Sequence, residues 1–242
     1  MSTILAIETS TELASAALLY RGELIARQSA GAQTHSDAIL PMIQQLLADA
    51  GLALSQCDAL AFGVGPGSFT GVRTACGVVQ GLAFGADRPV VPVITLEAAA
   101  QACRDEAPEA DEVLAILDAR MGEVYWARYR ARAQGGWDVL AEPALSCAAQ
   151  VPVDHRPHAC GNGLSVYAGH FSADFCAGAF ASIHPLAMPH ARQVARLGQV
   201  HFNEGVALPA QQAQQAQPLY LRNKVALTTA EREVRDAAKG AA

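Results

Sequence analysis

GVGPGSFTGVRTACGVVQGLAFG, residues 63–85, carries two signals that pull in different directions. Its start, Gly65-Pro66-Gly67-Ser68-Phe69-Thr70-Gly71, closes an apolar run and opens a helical one. Glycines there let the backbone turn and expose amides, and amides at a helix N-terminus attract anions. Ser68 and Thr70 stand where they can cap the helix or bond a phosphate oxygen. No Lys follows the glycines, so this is not a Walker A loop. On this pattern an anion cradle and a self-capped strand-to-helix turn are both open. The remainder is a helix with scarcely any polar side: from Gly71 to Phe84 the polar residues are Arg73, Thr74 and Gln80. A helix lying on a sheet ordinarily turns a polar face to water. Gly77 and Gly81, four apart, share a face and admit a second backbone.

The flanking chain supplies a fold. Thr3–Thr9, Ala14–Tyr20 and Glu23–Ala30 read as strands, the last two joined by a tight turn at Arg21-Gly22. Ser36–Ala50 has apolar residues at helical spacing, with Ser36 as the expected N-cap and Pro41 as a possible kink or a later start. This helix too is apolar over a wide arc. Surplus apolar surface on two adjacent helices points to a partner packing across both, or to cover by a second domain of the same chain. Asp58–Gly65 and Pro89–Thr95 are further strands, and Leu96–Arg104 is a helix. The order βββ-α-β-α-β-α is that of a ribonuclease-H-like unit. The acidic stretch Asp105–Asp111 marks a boundary, and Val113–Ala119 and Glu123–Ala131 begin a second, shorter unit. Val151–Ile183 gives no clear period, Ala187–Glu204 reads as helix, and the Gln/Ala run Ala210–Gln217 reads as a linker.

With 242 residues and a net charge of −6, the chain is large enough for a substantial core and too acidic to bind nucleic acid strongly by itself. Met1-Ser2-Thr3 runs into ILAIE without a charged leader region, no apolar run is long enough to cross a bilayer, and the six cysteines include no CxxC pair. A cytoplasmic protein with reduced thiols is the expectation. His155 and His158 flank Pro157, which favours a loop over a metal-binding helix. Glu8-Thr9-Ser10 ends the first strand, where superfamilies that grip phosphate between two such domains place an acid and hydroxyls. Asp118 ends the matching strand of the second unit and can either orient a metal-bound water or cap a turn.

GVGPGSFTGVRTA, the early ETS and DARMGEVYW (Asp118–Trp126) resemble the TsaB family, also called YeaZ, the non-catalytic paralogue of TsaD in the actin/hexokinase-like ATPase superfamily. The resemblance is carried by motifs over residues 3–130, and beyond them by length and PLYLRNKVA (Pro218–Ala226). It implies an α/β fold of two ribonuclease-H-like domains, 1–106 and a smaller, degenerate 107–227, followed by a frayed or disordered tail 228–242. It implies a scaffold for formation of N6-threonylcarbamoyladenosine beside the tRNA anticodon, without catalysis of its own. TsaD would be the heterodimer partner, the ATPase TsaE a third member, and tRNA would be met through the complex. The first two helices would form the interface, through His35, Ser36, Ile39, Leu40, Ile43, Leu47, Arg73, Cys76, Gly77, Val79, Gln80, Gly81 and Phe84. Alone, the chain would cover these helices with a second copy. Where TsaD carries a metal-binding His-x-x-x-His, the matching places fall on Thr95 and Ala99, so no metal is expected. No cofactor is required, although weak ATP or ADP binding is compatible with Glu8, Thr9, Ser10, Gly65, Gly67, Ser68, Thr70 and Asp118. An independent sugar-kinase-like enzyme using those residues, or a peptidase of the M22 type, are the alternatives.

Overall fold

The computed structural model describes residues 2–29, 34–152, 155–176 and 180–222. The expected tail, and the end of the PLYLRNKVA stretch, lie outside the described residues.

The first sheet has the order β3-β2-β1-β4-β5, from β1 (Ile4–Glu8), β2 (Ser15–Tyr20), β3 (Glu23–Gln28), β4 (Ala59–Gly65) and β5 (Val90–Ile94). β1 pairs antiparallel with β2 and parallel with β4. Arg21 and Gly22 both have positive φ, the geometry that matches a two-residue hairpin to strand twist. The second sheet repeats the plan. β6 (Glu112–Asp118), β7 (Glu123–Ala131), β8 (Trp137–Cys147), β9 (His158–Cys160) and β10 (Ile183–His184) lie in the order β8-β7-β6-β9-β10. Again the first strand is antiparallel to the second and parallel to the fourth. Two ribonuclease-H-like units are therefore present, and the second is degenerate in its last strands and its outer helices.

Side-chain alternation along β1 builds the layers. Leu5 and Ile7 face an outer core made with α1 (His35–Ala50) and α2 (Phe69–Ala86). Ile4 and Ala6 face a middle core made with α3 (Thr95–Glu106), α6 (Ala191–Asn203) and the inner face of the second sheet. Beyond that sheet, Leu114 and Ile116 pack against the short helices α4 (Gly163–Val166) and α5 (Ala173–Cys176). The two domains thus share one helical layer. Gly198 of α6 lies so close to β4 that a Cβ there would stand 2.5 Å from the Ala61 methyl.

Three expectations need correction. The N-cap of α1 is Thr34, whose hydroxyl accepts from the Asp37 N–H at 3.3 Å, and the helix runs through Pro41 without ending. α6 begins at Ala191, after Pro189, rather than at Ala187. Ala210–Gln215 is not a linker but a 3-10 helix, with Ala210, Ala213 and Ala216 buried at the three-residue repeat of that helix. Leu208 forms a bridge to Val90, so the chain after α6 returns to the first sheet.

His190 caps α6, its Nδ1 accepting from the Arg192 N–H at 3.1 Å. Only neutral imidazole can accept there. Burial, and then the Arg192 charge, push its pKa from 6.5 down to about 4. The stability this group contributes is complete above the unfolded value and is lost as pH falls from 6.5 toward 4. His190→Asn keeps a cap acceptor that does not titrate. Urea unfolding between pH 7.5 and 4.5 should show a shallower loss of stability for this variant than for the parent chain.

Candidate functional site: the interdomain cleft and the outer face of α2

The ends of β1 and β6 face each other across a cleft of about 500 Å³. Its floor comes from both domains, and its walls include Ser68, Phe69, Met121, Asn162, Met188 and Tyr220. Each domain places a carboxylate at the end of its first strand, and each carboxylate accepts from the backbone N–H two residues on. Glu8 Oε1 takes the Ser10 N–H at 2.6 Å, and Asp118 Oδ1 takes the Arg120 N–H at 2.7 Å. From there the two domains diverge.

Glu8 is fully buried, and its Oε2 has no hydrogen-bond partner. Gly63 leaves the space it occupies: a Cβ at that position would lie 1.9 Å from Oε2. Burial pushes the Glu8 carboxyl above its usual range. Asp118 instead accepts from the Tyr167 hydroxyl at 2.8 Å and pairs with Arg120 at 3.2 Å. Arg120 also reaches Glu12 of the first domain at 3.3 Å. Burial, and then Asp118, push the Tyr167 phenol above its usual range. Arg120 and Met121 stand at φ +62° and +59°, a left-handed backbone that costs non-glycine residues about 1 kcal/mol or more each. Arg222 grips this turn by its guanidinium, donating to the Ala119 carbonyl at 3.0 Å and pairing with Glu123 at 2.7 Å.

Three amides of the glycine loop are engaged within the chain. Gly65 N–H donates to Thr95 Oγ1 at 3.1 Å, Ser68 N–H to the Ser10 carbonyl at 2.7 Å, and Gly71 N–H to Ser68 Oγ at 3.3 Å. Thr9 Oγ1 donates to the Gly71 carbonyl at 2.7 Å. Of the residues expected to hold a phosphate, Ser10, Gly67, Ser68 and Asp118 line the cleft, as does His35. Glu8, Thr9, Gly65 and Thr70 do not; Thr9 and Gly65 hold the loop in place, and Glu8 is bonded to the Ser10 N–H. Thr95 and Ala99 do not fit a metal: both are buried, the threonine hydroxyl is engaged by Gly65, and an alanine has no donor. His158 bonds Ser182 Oγ through Nδ1 at 2.7 Å from within β9 rather than from a loop. Among the described residues, no group of three or more His, Cys, Asp and Glu is arranged to hold a metal. No helix among them is long and apolar enough to cross a membrane.

The helix faces sort the expected interface residues. Ile39, Ile43, Cys76 and Val79 are buried against the first sheet, so they are core, not contact surface. Leu47 and Gln80 are half-buried, and Gln80 donates to the Ala216 carbonyl. Ser36, Leu40, Arg73, Gly77, Gly81 and Phe84 remain exposed, Leu40 by 43 % and Phe84 by 82 %. Phe69, Arg73, Gly77, Gly81 and Phe84 follow one another at spacings of three and four and form one outward stripe of α2. The reading of residues from the sequence missed Arg120, Met121, Tyr220 and Arg222. Two of them lie in the DARMG stretch, whose Gly after two left-handed residues was the available signal.

The family described as TsaD, tRNA N6-adenosine threonylcarbamoyltransferase, matches residues 28–230. A Haemophilus influenzae protein named "tRNA threonylcarbamoyladenosine biosynthesis protein TsaB" is 41 % identical over 92 % of this chain and 94 % of its own. The chain belongs to the TsaB family. The Escherichia coli TsaB is 49 % identical over a shorter span, 55 % of this chain and 58 % of its own. The solved structure of YeaZ from Pseudomonas aeruginosa superposes with a TM-score of 0.83 at 38 % identity, covering 91 % of this chain and all of that one.

Glu8 yields a test of the divergence between the two carboxylates. Its folded pKa is raised, so its contribution to stability is complete below 4.5 and is lost as pH rises through the folded value. Glu8→Gln removes the buried charge while keeping the shape. Thermal melts should show the variant gaining on the parent as pH rises from 4.5 to 8, and a constant difference would contradict this account of Glu8.

Proposed function

We propose that this protein is a non-catalytic accessory subunit in the formation of N6-threonylcarbamoyladenosine in tRNA, docked on the TsaD transferase through the exposed stripe of α2 and the neighbouring Leu40 of α1. The carrying observation is the set of helix glycines. At Gly77, Gly81 and Gly85 an added Cβ would meet nothing within 4 Å in this chain. A glycine inside a helix costs about 0.5–1 kcal/mol against alanine. Three such residues cost about 2 kcal/mol and serve no packing within the chain. They suit a surface on which another helix must approach closely, with Phe84 projecting beside it.

The rest of the surface agrees with an accessory role. Glu8, the acid that a kinase-like reading would need, is sealed from the cleft. The two positions of the TsaD metal pair hold a committed hydroxyl and a methyl. With a net charge of −6, the chain reaches tRNA through its partners rather than alone. TsaE joins the pair, any weak nucleotide contact falls at the shared interface, and in the absence of TsaD a second copy covers the stripe.

Gly77→Arg tests the docking face. The substitution is open in this chain and improves helix propensity, so the melting temperature should hold or rise slightly. Co-purification with TsaD should fall at least tenfold, and modified adenosine should fall with it. Val79→Glu, by contrast, places a charge in the core and should unfold the chain. Wild-type recovery of TsaD by Gly77→Arg would end the docking assignment.

A further inference from the structure

Beyond its 3-10 helix the chain does not simply trail off. Ala216–Arg222 runs along α2, passes the end of β4 and crosses to the second domain. The Ala216 carbonyl accepts from Cys76 Sγ at 2.8 Å and from Gln80 Nε2 at 3.0 Å, both on α2. Leu219 N–H donates to the Val64 carbonyl at 2.8 Å, adding a rung at the end of β4. Arg73 Nε donates to the Tyr220 hydroxyl at 2.7 Å, and the same guanidinium lies 3.7 Å over the Phe69 ring and 5.6 Å from the Tyr220 ring. Two residues later Arg222 pairs with Glu123 and donates to the Ala119 carbonyl, and its Nη1 lies 3.6 Å from Met121 Sδ. Leu219, Tyr220, Leu221 and Arg222 all line the cleft.

One short segment therefore holds both ends of a mechanical link. Ala216 grips α2 from the buried flank through Cys76 and Gln80, and Tyr220 grips it from the exposed stripe through Arg73. Its last residue grips the left-handed turn Arg120–Met121, a backbone that holds its shape only while its surroundings over-determine it. We infer that Ala216–Arg222 is an interdomain clasp that ties the outward face of α2 to the β6–β7 turn across the cleft, so that a partner seated on α2 also tightens that turn. The mechanical link is independent of the partner. Its use by a partner rests on the docking role proposed above for α2.

Hydrogen exchange measured by mass spectrometry on the full chain tests the link first without any partner. Arg222→Ala cuts the clasp at the second domain, and Tyr220→Ala cuts it at Arg73. Each should raise exchange about threefold or more in both the 117–125 and the 66–76 peptides, with β1 unchanged as the control for folding. Arg222→Lys, which keeps a cation beside Glu123, should give a smaller rise in both. A response confined to the peptide nearest each substitution would overturn the clasp. TsaD is then added. In the parent chain both peptides should gain protection, and in Arg222→Ala the 66–76 peptide alone. Protection of 66–76 without 117–125 in the parent chain would overturn transmission and leave docking standing. Absence of protection anywhere on α2 would remove the docking reading, while the partner-free comparison still decides the clasp.

Discussion

Gly71 sits so close to the strand end before it that a methyl group there would stand 1.8 Å from the Thr9 carbonyl oxygen. Thr9 answers with its hydroxyl on the Gly71 carbonyl, and Ser10 accepts the Ser68 amide. These contacts pin the first turn of α2 to the end of β1, and with it the rotation of the whole helix. Val72, Ala75, Cys76, Val79 and Ala83 are then committed to the sheet. Burying each such valine contributes about 1.5–3 kcal/mol, enough to hold the helix in that orientation. What is left over is an outward stripe of glycines and phenylalanine, because α2 has more apolar surface than one sheet can cover.

The same pinning engages the Ser68 amide and the Gly71 carbonyl of the glycine loop, while the two strand ends at the cleft contrast with each other. The duplicated topology makes the contrast visible within one chain, since the second domain keeps its acid in the cleft, bonded by Tyr167 and paired with Arg120, while the first has buried its own behind Gly63. Two equivalent strand ends thus carry one sealed carboxylate and one exposed turn, and the turn is held by Arg222, a residue that follows all ten strands in the chain.

The first domain was readable because its strands and helices are long enough for period to show. β1 and β4 are continuous apolar runs ending in distinctive residues, and α1–α3 have clear spacing. The apolar excess on α2 was legible too, but not which residues carried it outward. Ile39, Ile43, Cys76 and Val79 were expected at an interface and belong to the core: α1 turns Ile39 and Ile43 to the first sheet along with Leu46, and the rotation of α2 is set by the Thr9–Gly71 contact, which no pattern reveals. The second domain gave less. β9 and β10 span three and two residues, too few for any alternation. β8 is a half-buried edge strand with Pro143 inside it, so its pattern is broken. Ala210, Ala213 and Ala216 looked like a featureless linker, although their three-residue repeat was in plain view. Thr34 was passed over as a cap because Ser36 offers the same chemistry two residues later.

The docking role proposed for α2 puts TsaD over its outer stripe. A photo-crosslinking phenylalanine analogue placed at Phe84 probes it directly, with Leu186 of the second domain, 86 % exposed, as the comparison site. Docking on α2 should give an adduct between the chain and TsaD from position 84 and none from position 186. An adduct from 186 alone, or no adduct from 84 in a complex that still co-purifies, would contradict it.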